Sequence, residues 1–196
     1  MIGWLSDNYI EVLGAITGLI YLYFSYHRKV WLWPFGIITS ALYVIFFRRT
    51  HLYADMSLQV YYVLISIYGW YFWLWGKKNH DEKQGYIRIR SINLKMWIIL
   101  VSITAILTIV SGFLLKKYTD ASLPYWDAFT TAGGIVATWM LARKLLENWL
   151  FWIVVDFIAT GIYFYKEKYP TVILYMVFTI IAIAGYYKWK RDMEKT

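Results

Sequence analysis

The chain reads as an all-α polytopic membrane protein. Seven transmembrane helices are expected, arranged as three plus one plus three. Three observations predict this. First, 60% of the 196 residues are apolar and only 16% charged, where a soluble domain is nearer half and a quarter. Second, the apolar residues fall in runs of about 20, the length that crosses a bilayer as a helix. Third, the chain repeats itself without a gap at an offset of 116 residues. Gly18 falls on Gly134, Trp33 on Trp149, Tyr53 on Tyr169, Gly69 on Gly185 and Trp73 on Trp189. Aromatic positions also coincide, Tyr23 with Trp139 and Tyr62 with Phe178 among them.

The spans are justified in order. The first is Tyr9–Tyr26, closed by His27, Arg28 and Lys29; the second is Val30–Phe47, closed by Arg48 and Arg49. The third, Leu52–Trp75, ends at Gly76, Lys77 and Lys78. Residues Asn79–Asn93 have soluble-loop composition and read as a linker. The fourth span is Met96–Leu115, the fifth Tyr125–Leu141, the sixth Leu145–Tyr165 and the seventh Pro170–Trp189. The charged tail Lys190–Thr196 is expected to fray. Helix is the expected state throughout, because lipid offers no partner to open backbone groups. The long apolar runs also lack the alternation of a barrel strand. Met1–Asp7 has no basic leader, so the first run is expected to remain as a span.

Charge sets the orientation. Of the 20 Lys and Arg, six (Arg48, Arg49, Lys116, Lys117, Lys166, Lys168) fall on one side of the seven spans and the rest on the other. The positive-inside rule then places the C-terminus in the cytoplasm and the N-terminus outside. One transmembrane domain results: repeat one at about 9–76, a linker and connecting helix at about 77–117, and repeat two at about 125–189. An odd helix between the copies makes the repeats parallel, related by a pseudo-twofold axis along the membrane normal. Repeats of this kind are the construction plan of many secondary transporters, with the substrate held between the copies.

Composition also excludes functions. The net charge of +8 is explained by topology, so no nucleic-acid partner is expected. With no Cys, neither disulfides nor thiolate chemistry arises. His27, His51 and His80 have no ligand spacing, so no metal is expected. No phosphate loop or nucleotide fingerprint is present. No cofactor is expected, and the absence of a catalytic constellation argues against an enzyme.

The candidate binding residues come from polar groups set in apolar helices. Asp156 lies deep in the sixth span, where a carboxylate costs about 2.5–3.5 kcal/mol on insertion scales. Trp149, Trp152 and Asp156 are spaced i, i+3 and i+7 and share one helical stripe. Two indoles and a carboxylate suit a flat cationic ring; an interfacial belt of tryptophans is the alternative. Asp127, just after Pro124, fits either a helix cap or a substrate contact. Gln59 fits a ligand contact or an interhelical bridge. Trp33, the repeat mate of Trp149, either completes an aromatic cage or packs. Asp55 reads as a cap or mouth residue.

Two stretches resemble the PnuC-type vitamin transporters. One is Leu58-Gln59-Val60-Tyr61-Tyr62 with Ser66-Ile67-Tyr68-Gly69-Trp70-Tyr71 and Trp73. The other is Ala137-Thr138-Trp139-Met140-Leu141-Ala142-Arg143-Lys144 leading into Glu147-Asn148-Trp149-Leu150-Phe151-Trp152 and Asp156. The resemblance implies a bacterial cytoplasmic-membrane uniporter that imports nicotinamide riboside by facilitated diffusion. A cytoplasmic kinase would trap the product without forming a stable complex. Trp149, Trp152, Asp156 and Gln59 would line the site. Thiamine is the alternative substrate, since relatives of the family import it, and proton-coupled symport through Asp156 is a further alternative. The expected partners are the cationic aromatic vitamin and the lipid bilayer; a homo-oligomer is compatible with the sequence.

Overall fold

A computed structural model describes the backbone of residues 2–49, 51, 53–76 and 88–195. Seven α-helices follow in order: α1 Ile2–Tyr26, α2 Leu32–Arg49, α3 Tyr53–Trp75, α4 Leu94–Tyr118, α5 Pro124–Ala142, α6 Asn148–Tyr165 and α7 Tyr169–Glu194. No strand occurs among the described residues, only an isolated bridge between Arg90 and Leu145. The expected all-α architecture is therefore present. His80 and the greater part of the expected linker lie outside the described residues.

The chain divides into two compact units, Met1–Ile87 and Arg88–Thr196. In the first, α2 packs against both α1 and α3; in the second, α5 packs between α4 and α6, and α6 also packs on α7. The expected connecting helix α4 thus belongs to the second unit.

The 116-residue offset carries Leu32–Arg49 onto Asn148–Tyr165 and carries the end of α1, Tyr26, onto the end of α5, Ala142. The turns correspond too. Arg28 (φ 56°) maps onto Lys144 (φ 53°), and His51 (φ 59°) onto Glu167 (φ 55°). Each follows a helix and reverses its direction. The amide of Lys29 donates to the Phe24 carbonyl at 2.9 Å, that of Leu145 to Met140 at 3.0 Å and that of Lys168 to Tyr163 at 2.9 Å. These six-to-one bonds, closed by a left-handed residue, cover carbonyls that a helix end leaves open.

By length and hydropathy alone, α4, α6 and α7 qualify as spans. Helix α5 falls short for a physical reason: its Ala128, Ala132, Gly133, Gly134 and Ala137 are buried against protein, so it need not be apolar toward lipid. Helix α4 is its opposite, with Ile98, Ile106, Ile109 and Phe113 exposed.

Three expectations change. Helix α6 begins at Asn148 rather than Leu145, because 143–147 form a turn. The tail does not fray at Lys190; α7 runs to Glu194, as a run of Lys, Arg, Met and Glu allows. And residues 88–93 are not free linker. The Arg90 amide donates to the Lys144 carbonyl at 3.1 Å, and the Leu146 amide to the Arg90 carbonyl at 2.9 Å. Ile89 is buried, and Ile92 packs on the Leu100, Val136 and Met140 cluster.

Candidate functional site

Helix α6 carries the candidate site in the second unit. Its buried residues are Asn148, Trp149, Val155, Asp156, Ala159 and Ile162, which form one face at helical spacing. Asp156 is 5% exposed, whereas Phe157, the next residue, is 70% exposed. The carboxylate therefore faces protein. What brings α5 close at this level is Gly133: a Cβ there would collide with the Val155 side chain. Close approach of that kind is the use of glycine between membrane helices. The Thr160 hydroxyl donates to the Asp156 main-chain carbonyl at 2.8 Å. It leaves the carboxylate itself untouched, and no basic side chain among the described residues forms an ion pair with it.

The two tryptophans of the stripe differ. Trp149 is 2% exposed; its indole lies over Gly185 and meets Trp189 edge to face, with centroids 5.6 Å apart and planes at 84°. Packing on both sides already occupies this ring. Trp152, one turn on, is half-buried, and no aromatic ring of the described residues stacks on it. It is the indole with a face to offer.

Trp33 in the first unit repeats the Trp149 arrangement. It is fully buried, lies over Gly69 and meets Trp73 edge to face at 5.5 Å and 87°. Of the two expectations for Trp33, packing is what the first unit displays. Gln59 is half-buried on α3. Asp55 stands in the first turn of α3 and is exposed.

Asp127 is not a cap. Pro124 starts α5 as expected, but the cap position is Leu123 and no side chain caps there. Lys166 Nζ instead donates to both Asp127 oxygens, at 3.0 and 3.1 Å. This pair ties the start of α5 to the end of α6.

Sequence reasoning passed over the turn before α6. Glu147 and Asn148 are 6% and 0% exposed. Glu147 Oε1 accepts the Ser91 hydroxyl and, at 3.2 Å, the Ile92 amide. Asn148 Nδ2 donates to the Leu145 carbonyl at 2.6 Å. The available signal was the repeat: these two positions hold Trp31 and Leu32 in the first copy. Among the described residues no group of three His, Cys, Asp or Glu could hold a metal.

The family model described as "Nicotinamide mononucleotide transporter" matches residues 8–191. The chain belongs to the nicotinamide mononucleotide transporter family. The nicotinamide riboside transporter PnuC of Escherichia coli is 27% identical, the match covering 93% of this chain and 85% of that one. The riboflavin/roseoflavin transporter RibM of Streptomyces davaonensis is 26% identical, covering 94% and 87%. The crystal structure of the vitamin B3 transporter PnuC superposes with a TM-score of 0.75 at 21% identity, covering 98% of this chain and 85% of that one, and bears on the fold. Membership of the nicotinamide mononucleotide transporter family makes this chain a multi-pass membrane transporter of a small molecule.

Proposed function

We propose that the chain imports nicotinamide riboside by facilitated diffusion, with phosphorylation by a cytoplasmic kinase preventing its return. The carrying observation is Asp156, a buried carboxylate within a membrane helix and without a cationic side-chain partner among the described residues. An isolated charge at such depth is costly unless something pairs with it. A substrate bearing its own positive ring would do so in passing. The pyridinium would lie on Trp152, where the indole face attracts a cation, with Trp149 as the wall behind. Asp156 would neutralise the ring or accept ribose hydroxyls. Gln59 remains a candidate of the first unit, where it is half-buried. Asp127, already held by Lys166, is a secondary contact at most.

The same charges separate the riboside from its 5′-phosphate. No Lys or Arg occurs within Leu13–Tyr26, Val30–Phe47, Tyr53–Trp75, Met96–Leu115, Tyr125–Ala142, Asn148–Tyr165 or Tyr169–Tyr187. A phosphate entering the spans would meet no cation and would approach Asp156 with the wrong sign. A neutral flavin would leave Asp156 unpaired. Thiamine, which also carries a cationic ring, is the nearest competitor. The expected topology, N-terminus outside and C-terminus in the cytoplasm of a bacterial inner membrane, would have the kinase meet the riboside as it leaves.

The test is uptake of labelled nicotinamide riboside into proteoliposomes. Unlabelled riboside should compete, the mononucleotide and riboflavin should not, and thiamine should compete weakly. Uptake should not depend on an imposed pH gradient. Preference for thiamine or for the mononucleotide overturns the substrate, and uptake driven by the gradient overturns uniport.

A further inference from the structure

Glu147 lies outside the candidate binding stripe, yet it is the least expected buried charge of the second unit. Its repeat mate is Trp31, which is exposed. The carboxylate cannot be explained by a cap, because Glu147 has helical backbone angles and its side chain caps no amide of α6. Among the described residues its donors come instead from the segment before α4, from Ser91 and Ile92, through one oxygen. The second oxygen, Oε2, is buried with no hydrogen-bond partner among the described residues. Burying a carboxylate with one oxygen unsatisfied opposes folding. Such a group is tolerated where it fixes one arrangement against others.

The arrangement it fixes is specific. Residues 88–93 are where the chain enters the second unit. They lie along the α5–α6 turn through the two main-chain bonds of Arg90, and Ile89 and Ile92 anchor them from beneath. Glu147 completes the clasp from the turn side. Trp149 follows two residues later, and Trp152 and Asp156 hang from the same helix. A helix start held by backbone bonds alone can swing by the small angles that move side chains a turn or two away. Side-chain hydrogen bonds that tie the turn to the strap remove that freedom.

We infer that Glu147 is a positioning residue for transport: by clasping residues 88–93 through Ser91 and Ile92, it sets the start of α6 and thereby the placement of Trp152 and Asp156. This rests on the functional reading above. Misplacement by as little as an ångström weakens a preorganised site, so Glu147→Ala should raise the KM for riboside uptake by about tenfold, with the maximal rate per folded protein within about twofold. Glu147→Gln keeps an oxygen for Ser91 and Ile92 and should restore KM. Ser91→Ala removes one of the two donors and should raise KM by about threefold.

The experiment pairs uptake in proteoliposomes with hydrogen exchange of the unliganded protein. Exchange at the Arg90 and Leu146 amides should accelerate in Glu147→Ala and return toward wild type in Glu147→Gln. A loss of maximal rate at unchanged KM would mark a role in stability only and overturns the inference. So does Glu147→Gln behaving as Glu147→Ala, since charge rather than the clasp would then matter. If Glu147→Ala does not fold, Ser91→Ala decides: unchanged KM overturns the inference and a raised KM supports it. Wild-type protein that takes up no riboside sinks the functional reading alone, while strap exchange still reports whether the clasp exists.

Discussion

The first and second halves of the molecule share a framework and differ in what they hold. Trp33 over Gly69 against Trp73 is reproduced by Trp149 over Gly185 against Trp189, at centroid distances of 5.5 and 5.6 Å. Elsewhere the contacts are exchanged. In the first unit α1 and α2 meet through the hydroxyls of Thr17 and Thr39, 2.8 Å apart; the matching positions of the second are Gly133 and Val155, in bare van der Waals contact. In the first, Tyr21 lies over Gly36; in the second, the matching positions are Ala137 and Trp152. The bulky ring has moved from the first helix of the triplet to the second. Ser40 becomes Asp156, and both are buried. The lesson is that the indole–glycine packing defines the triplet, while the stripe next to it is free to acquire charge and an open ring.

The largest effect should therefore follow from Asp156 and not from its mate. Removing a buried charge that pairs with a ligand typically costs 2–5 kcal/mol, so Asp156→Ala should lower uptake efficiency by about 100-fold or more. Ser40→Ala, at the matching position, should change it by less than about threefold, since a neutral hydroxyl carries no charge to pair with a cationic ring. Asp127→Ala breaks a half-exposed ion pair, worth about 1 kcal/mol or less, and belongs with the mild class. Initial rates over a range of riboside concentrations separate the three. Similar losses at Asp156 and Ser40 would mean that both triplets bind alike, and the functional asymmetry would be wrong.

Framework positions should behave in the opposite way, alike in both halves. A Cβ on Gly69 would stand 2.5 Å from the Trp33 ring, and one on Gly185 would stand 2.8 Å from the Trp149 ring. Neither indole can withdraw, because each is fully enclosed and braced by a second tryptophan. Overpacking of this kind costs about 1–3 kcal/mol. Gly69→Ala and Gly185→Ala should both lower the unfolding temperature in detergent, Gly69→Ala by more because the approach is closer. A loss in only one of them would break the equivalence of the two triads.

Much of this framework was legible in the sequence, because its signals are local or periodic. Runs of 20 apolar residues mark helices, and the 116-residue offset aligns helix ends and left-handed turns alike. The offset even contained Gly69, Trp73 and their mates, although not that the indoles lie across the glycines. What could not be read depends on partners distant in sequence. Asp127 presents the residue type of a cap, and only Lys166, 39 positions on, shows it to be an ion pair. The stripe of Trp149, Trp152 and Asp156 was visible, but which indole is already filled is decided by Gly185 and Trp189 on the next helix. Residues 88–93 look like any polar loop, since their attachment is mainly backbone pairing with a turn more than 50 residues away. Composition carries no trace of that.

The smallest effect compares the two turns that end α2 and α6. His51 and Glu167 both hold left-handed angles, 59° and 55°, which cost a residue with a Cβ and cost glycine nothing. Glu167 is exposed, and its side chain makes no hydrogen bond among the described residues that opposes the exchange. Glu167→Gly should therefore stabilise the second unit, offset in part by the greater freedom glycine gives the unfolded chain, for a net gain of about 0.5 kcal/mol. His51 makes a further interaction of its own, so His51→Gly surrenders something and should gain less or nothing. The readout is the midpoint of thermal unfolding for each variant beside wild type, with riboside uptake unchanged in both. If Glu167→Gly lowers the midpoint, the left-handed turn is not strained, and the two corners differ by more than their side-chain partners.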